Sequence, residues 1–158
     1  MYKNIQNCME DKVIHVHGIY FVPEGDMNTR YKKVPAVLLL AKDKDLAESI
    51  RIYMEDSYRV YFISDPADLD ACIRKYNIDL LLTDLDKSSP DLFQKLESVR
   101  SDYPQLRIMV MYMFLDEDEY REKLILKEAD DHIFKPFSAS VLKYKLDRLC
   151  AHTLLSRS

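Results

Sequence analysis

Glycine is nearly missing from this chain. It occurs only at Gly18 and Gly25. Every turn after residue 25 must therefore be made by Asp, Asn, Ser and Pro. The scarcity also removes any glycine-rich phosphate loop, so a nucleotide-binding reading has no support. Cysteine is sparse too: Cys8, Cys72 and Cys150 are odd in number and widely scattered. That pattern excludes a disulfide or zinc framework and reads as reduced thiols in a cytoplasmic protein. No apolar run approaches the roughly 20 residues of a membrane helix. The first residues lack a charged start followed by an apolar stretch, so no secretory leader is expected. Basic excess is absent as well. The formal net charge is −4, which argues against nucleic acid or an anionic membrane as partner. No Ser-His-Asp arrangement has any spacing logic, which makes a hydrolase a poor reading.

What is present is an ordinary globular composition, 47% hydrophobic and 32% charged over 158 residues. That suffices for one domain with a real core. Residues 1–33 stand apart. Val13–Val22 is β-like and is stopped by Pro23-Glu24-Gly25-Asp26. This extension is an edge strand, a dimerisation element or a loose tail. Met27 opens a basic lead-in to a buried strand and is a candidate native start. His15 and His17 would project from one face of a strand, but two histidines are too few for a metal site, and they read as surface residues.

From residue 34 to 150 strands and helices alternate. Ala36–Leu40 is a continuous apolar run, as expected of a parallel strand buried on both faces. The next helix has Leu46, Ala47, Ile50, Tyr53 and Met54 as its inward stripe, with Asp45 and Glu48 in a capping-box pattern. Val60–Ile63 is the second strand. Asp65-Pro66 opens a helix with Leu69, Cys72, Ile73 and Tyr76 inward. Leu80–Thr83 is the third strand, ending at Asp84. Ser89 as cap and Pro90 at the first helical position start a helix with Leu92, Phe93, Leu96 and Val99. Leu106–Met113 is the fourth strand, and Met109, Met111, Tyr112 and Met113 read as strand core. A helix with an acidic first turn, Asp116–Glu119, follows. His132-Ile133-Phe134 is the fifth strand. The last helix turns Val141, Leu142, Leu146 and Leu149 inward, and 151–158 is a tail.

Five strands alternating with five helices predict an α/β domain, an open parallel sheet covered on both faces. Ligand pockets of such sheets lie at the carboxyl ends of the strands. Asp84 and Lys135 both fall there.

The stretches Asp79-Leu-Leu-Leu-Thr-Asp84-Leu85 and Ala129-Asp-Asp-His-Ile-Phe-Lys135-Pro136-Phe137 resemble the receiver domain of two-component response regulators. The resemblance covers roughly residues 34–150. It implies a flavodoxin-like (βα)5 doubly wound sheet of order 2-1-3-4-5. It implies that Asp84 is the phosphoacceptor, attacking a phosphohistidine on a partner histidine kinase. Lys135 would pair with the phosphoryl group, and the Lys135–Pro136 bond would be cis. Phosphoryl transfer would need Mg2+.

Departures from the family pattern surround that pair. The two acidic positions after the first strand, which hold magnesium in the family, are Ala41 and Lys42 here. Asp43 lies one place later, and a loop slip would let it reach the ion. Lys42 is either a solvated lysine or an ammonium placed in the cation site beside Asp84, where attraction of about 1–4 kcal/mol would rival a weakened metal site. Asp86 would offer its backbone carbonyl to an ion. The family's hydroxyl position after the fourth strand falls on Met113, or on Tyr112 if the loop is one residue longer. The aromatic position of the fifth strand is His132.

These features lead us to expect a protein-interaction module rather than an enzyme. It would be a receiver with a degraded magnesium site and no resident cofactor, needing Mg2+ only if phosphorylation is retained. The alternative is a working Asp84 phosphoacceptor, using Asp43, Asp84 and Asp86 at the metal. A small flavodoxin-like enzyme has only fold analogy behind it. Only nine residues follow Leu149, so output is expected through a protein partner, kinase or downstream effector. A homodimer through the last two helices and the fifth strand is the self-association the resemblance allows.

Overall fold

A computed structural model of the chain describes residues 34–85, 90–113, 123 and 127–155. The strands are β1 (Ala36–Leu40), β2 (Arg59–Ile63), β3 (Leu80–Leu85), β4 (Arg107–Tyr112) and β5 (Asp131–Phe134). The helices are α1 (Lys44–Met54), α2 (Leu69–Tyr76), α3 (Pro90–Asp102) and α4 (Ala139–Leu155). A short 3-10 turn, Pro66–Asp68, leads into α2. All neighbouring strands run parallel in the order β2-β1-β3-β4-β5. This is the 2-1-3-4-5 order the resemblance implied.

The strands form a sheet because they are apolar on both faces. All five residues of β1 are buried. Alternate side chains enter two separate cores. Leu38, Leu81 and Ile108 pack with Leu69 of α2 and with Leu92, Leu96 and Val99 of α3. Leu39, Leu82 and Met109 pack with Ile50 and Met54 of α1 and with Leu142 and Leu146 of α4. Burial on this scale stabilises by about 25 cal/mol for each Å² of apolar surface removed from water.

Polar side chains close the ends of the sheet. Buried Asp79 accepts the Ala36 N–H at 2.9 Å, tying the start of β3 to β1. Before β5, Asp130 accepts from Arg100, Arg107 and the Ile108 N–H at 2.7–3.1 Å. Arg100 also donates to the carbonyls of Leu106 and Glu128. One guanidinium thus joins α3, the start of β4 and the approach to β5. Burial pushes the Asp130 carboxyl up, but the two guanidinium groups and the backbone N–H outweigh it and leave it below its usual value.

Several expectations are corrected. The cap of α1 is Asp43 rather than Asp45, because its Oδ1 reaches the N–H groups of both Asp45 and Leu46. Glu48, expected to close a capping box, instead binds Arg51 at 2.6 Å. Tyr53 and Val141 point outward, each 47% exposed. Each stands one residue, about 100°, from a buried neighbour, Met54 or Leu142, and that turn takes it off the inward face. Met113 lies beyond β4 and is exposed rather than strand core. The last helix continues through Leu155, past the boundary at 150. The expectations for residues 1–33, Asp86, Ser89 and the helix opening at Asp116–Glu119 lie outside the described residues.

Turn-making without glycine is visible at the end of α2. Asn77 takes the left-handed conformation, with φ 49° and ψ 59°, and its N–H returns to the Ile73 carbonyl. Asn tolerates this region better than other residues with a Cβ.

Candidate functional site

Strand register decides which side chains meet at the carboxyl end of the sheet. Asp84 lies opposite Met111 of β4, and Met111 lies opposite Ile133 of β5. The chain leaves β5 two residues further on, at Lys135, through a cis Lys135–Pro136 bond. Lys135 Nζ donates to Asp84 Oδ1 at 2.6 Å. The Asp84 side chain is 10% exposed and that of Lys135 24%. A charged hydrogen bond so shielded from water is far stronger than its counterpart on an open surface. Thr83, just before Asp84, is fully buried, and its hydroxyl has no hydrogen-bond partner among the described residues.

The β1 end contributes little acid. Ala41 is buried, and its N–H continues the ladder to the Ile63 carbonyl at 3.1 Å. Lys42 and Asp43 follow it at the surface. Asp43 Oδ1 is occupied by two α1 N–H groups, at 3.0 Å each. Its location at the helix start fixes the carboxylate toward its own backbone.

The resemblance implies magnesium at this end of the sheet. That ion needs near-octahedral oxygen ligation, commonly through one or two carboxylates. Asp84 already has an ammonium on one oxygen, and Asp43 is engaged as a cap. Among the described residues no group of three or more His, Cys, Asp or Glu side chains is placed to hold a metal ion.

On the opposite face of β4 and β5, Tyr112, His132 and Phe134 make a ring cluster. Tyr112 lies 4.6 Å from Phe134 and 5.8 Å from His132, centroid to centroid, and His132 meets Phe134 edge-on at 5.4 Å. The sequence reading singled out Tyr112 and His132 separately and missed Phe134 as their link. The signal was available: His132 and Phe134 share a face by alternation, and Phe134 is level with Tyr112 once β4 and β5 are neighbours. Behind them Lys145 of α4 donates to Asp131 at 2.8 Å. Burial raises the Asp131 carboxyl, but Lys145 and the His132 N–H hold it below its usual value.

No protein-family model matches the chain. The sensor histidine kinase TmoS of Ectopseudomonas mendocina is 30% identical over 118 residues, 73% of this chain and 12% of that protein. The heme response regulator HssR of Staphylococcus epidermidis is 28% identical over 111 residues, 69% of this chain and 48% of that protein. The chain therefore spans less than half the length of these curated relatives. Among solved structures, a CheY-like response regulator receiver domain protein from Methanospirillum hungatei JF-1 superposes with a TM-score of 0.70 at 17% identity, covering 78% of this chain and 99% of that one. The chain has the fold of response regulator receiver domains.

Proposed function

We propose that the chain is a receiver-type module of two-component signalling that acts by binding a protein partner, with the Asp84 pocket held by Lys135 rather than by a metal ion. One observation carries this reading. Asp43, the first acid after β1, is engaged in capping α1 through two backbone N–H groups. Ala41 and Lys42 stand where the resemblance places the metal-binding acids. The partner is a histidine kinase or a downstream effector. Signalling then rests on the shape and charge of a fixed surface, without turnover of a substrate.

A second reading has its own support. Lys135 Nζ reaches Asp84 Oδ1 at 2.6 Å. That placement suits a carboxylate that still accepts a phosphoryl group from a kinase.

Magnesium titration followed by amide chemical shifts distinguishes the two. The interaction-module reading expects no saturable shift at residues 83–85 in the unmodified chain, and a saturable one after Lys42→Asp. A saturable shift in the unmodified chain would refute it.

A further inference from the structure

The amino end of the sheet, opposite Asp84, holds a cleft of about 510 Å3. It lies where α2 turns into β3 and α3 turns into β4. The buried side chains of Ile73, Ile78 and Leu106 form its floor. Backbone bonds hold both turns. The Ile78 N–H returns to the Ile73 carbonyl at 3.4 Å, and the Leu106 N–H to the Tyr103 carbonyl at 3.0 Å.

One wall is Tyr103, which is half-buried against the core under α2 and α3. Its hydroxyl accepts from Arg74 Nε at 2.9 Å, linking the end of α2 to the end of α3. That bond fixes the guanidinium at the cleft and leaves its Nη1–Nη2 edge available. Among the described residues neither nitrogen has an ion-pair or hydrogen-bond partner. Asp70, one turn before Arg74, is paired instead with Lys95 at 2.6 Å. Asn77 and Gln105 complete the rim and are exposed, with no side-chain hydrogen bond among the described residues. A cleft of this size, apolar below with a few converging polar groups, has the make-up of a ligand site.

We infer that this cleft binds the carboxyl end of a peptide chain whose last side chain is a branched aliphatic. The Nη1–Nη2 edge matches a planar carboxylate through two parallel hydrogen bonds. Arg74 and Lys75 set two positive charges at this rim against one nearby carboxylate, Asp102. The aliphatic floor takes the last side chain. The Asn77 and Gln105 carboxamides can each donate and accept, as the preceding peptide group requires. An internal peptide segment would leave the guanidinium edge without an anion, and a bare phosphate would leave the floor uncovered. The inference rests on the proposed binding of a protein partner and names the part of that partner which is held.

Amide chemical shifts of the full chain, titrated with acetyl-Ala-Ala-Leu and with its C-terminal amide, test this. The free acid should give saturable shifts at residues 73–78 and 103–106. It should bind roughly threefold or more tighter than the amide. In Arg74→Met that preference should vanish. The comparison of acid with amide in the unmodified chain needs no variant, so it stands if Arg74→Met does not fold. Absence of saturable shifts in the cleft overturns the inference. So does equal affinity for acid and amide, or a preference that persists in Arg74→Met. The magnesium titration reads residues 83–85, at the other end of the sheet. A saturable magnesium shift would therefore refute the interaction-module reading while leaving the cleft result intact, and a silent cleft would leave that reading standing.

Discussion

Asp84 and Lys135, 51 residues apart in sequence, meet at 2.6 Å where β3 and β5 end. Replacing Lys135 by Met leaves a carboxylate that is 10% exposed without its ammonium. The expected loss is about 1–3 kcal/mol in urea unfolding. In an Asp84→Asn background the same change should cost clearly less. Additivity of the two changes within about 0.5 kcal/mol would show that the contact contributes nothing.

Asp43 caps α1 through the N–H groups of Asp45 and Leu46. Asp43→Ala should lower stability by about 1 kcal/mol, and Asp43→Ser should recover most of it, since serine also caps. The loss should be the same with and without magnesium. A loss that appears only when magnesium is present would make Asp43 a ligand.

Acid sensitivity should trace to Asp130. Its folded carboxyl titrates below the usual 3.8, so the unfolded chain binds the proton more readily. The associated stability is complete above that usual value and is lost as pH falls through the depressed folded one. Unfolding free energies measured from about pH 5 down to about pH 2 should fall less steeply in Asp130→Asn than in the unmodified chain. Parallel slopes would remove Asp130 from the account.

Packing predicts a contrast between two large side chains. Leu82 sits between Leu39 and Met109 at the centre of the sheet and is fully buried. Leu82→Ala should cost about 2–5 kcal/mol. Tyr53→Ala, on the exposed side of α1, should stay within about 0.5 kcal/mol. Chemical denaturation of the two variants checks both values.

The sheet was legible because β1, β3 and β4 are apolar runs that only a doubly covered parallel strand can use. Asp84 was legible because it closes such a strand, and Lys135 because it follows a short strand and is joined to Pro136 as in the family the chain resembles. Strand order was not in the alternation itself and came from resemblance. Helix faces were harder. Tyr53 and Val141 are apolar, yet each lies about 100° from the residue that faces the sheet. The Asp43 cap was hidden because Asp43 and Asp45 both make sound caps, and only the path of the chain out of β1 chooses between them. Phe134 escaped notice because its importance depends on Tyr112, a residue of another strand.

The most direct measurement is intact mass after incubation with magnesium and acetyl phosphate, with Asp84→Asn alongside. A pocket occupied by Lys135 and lacking a magnesium cage should leave the mass of the unmodified chain unchanged. A gain of one phosphoryl group that vanishes in Asp84→Asn would contradict the account.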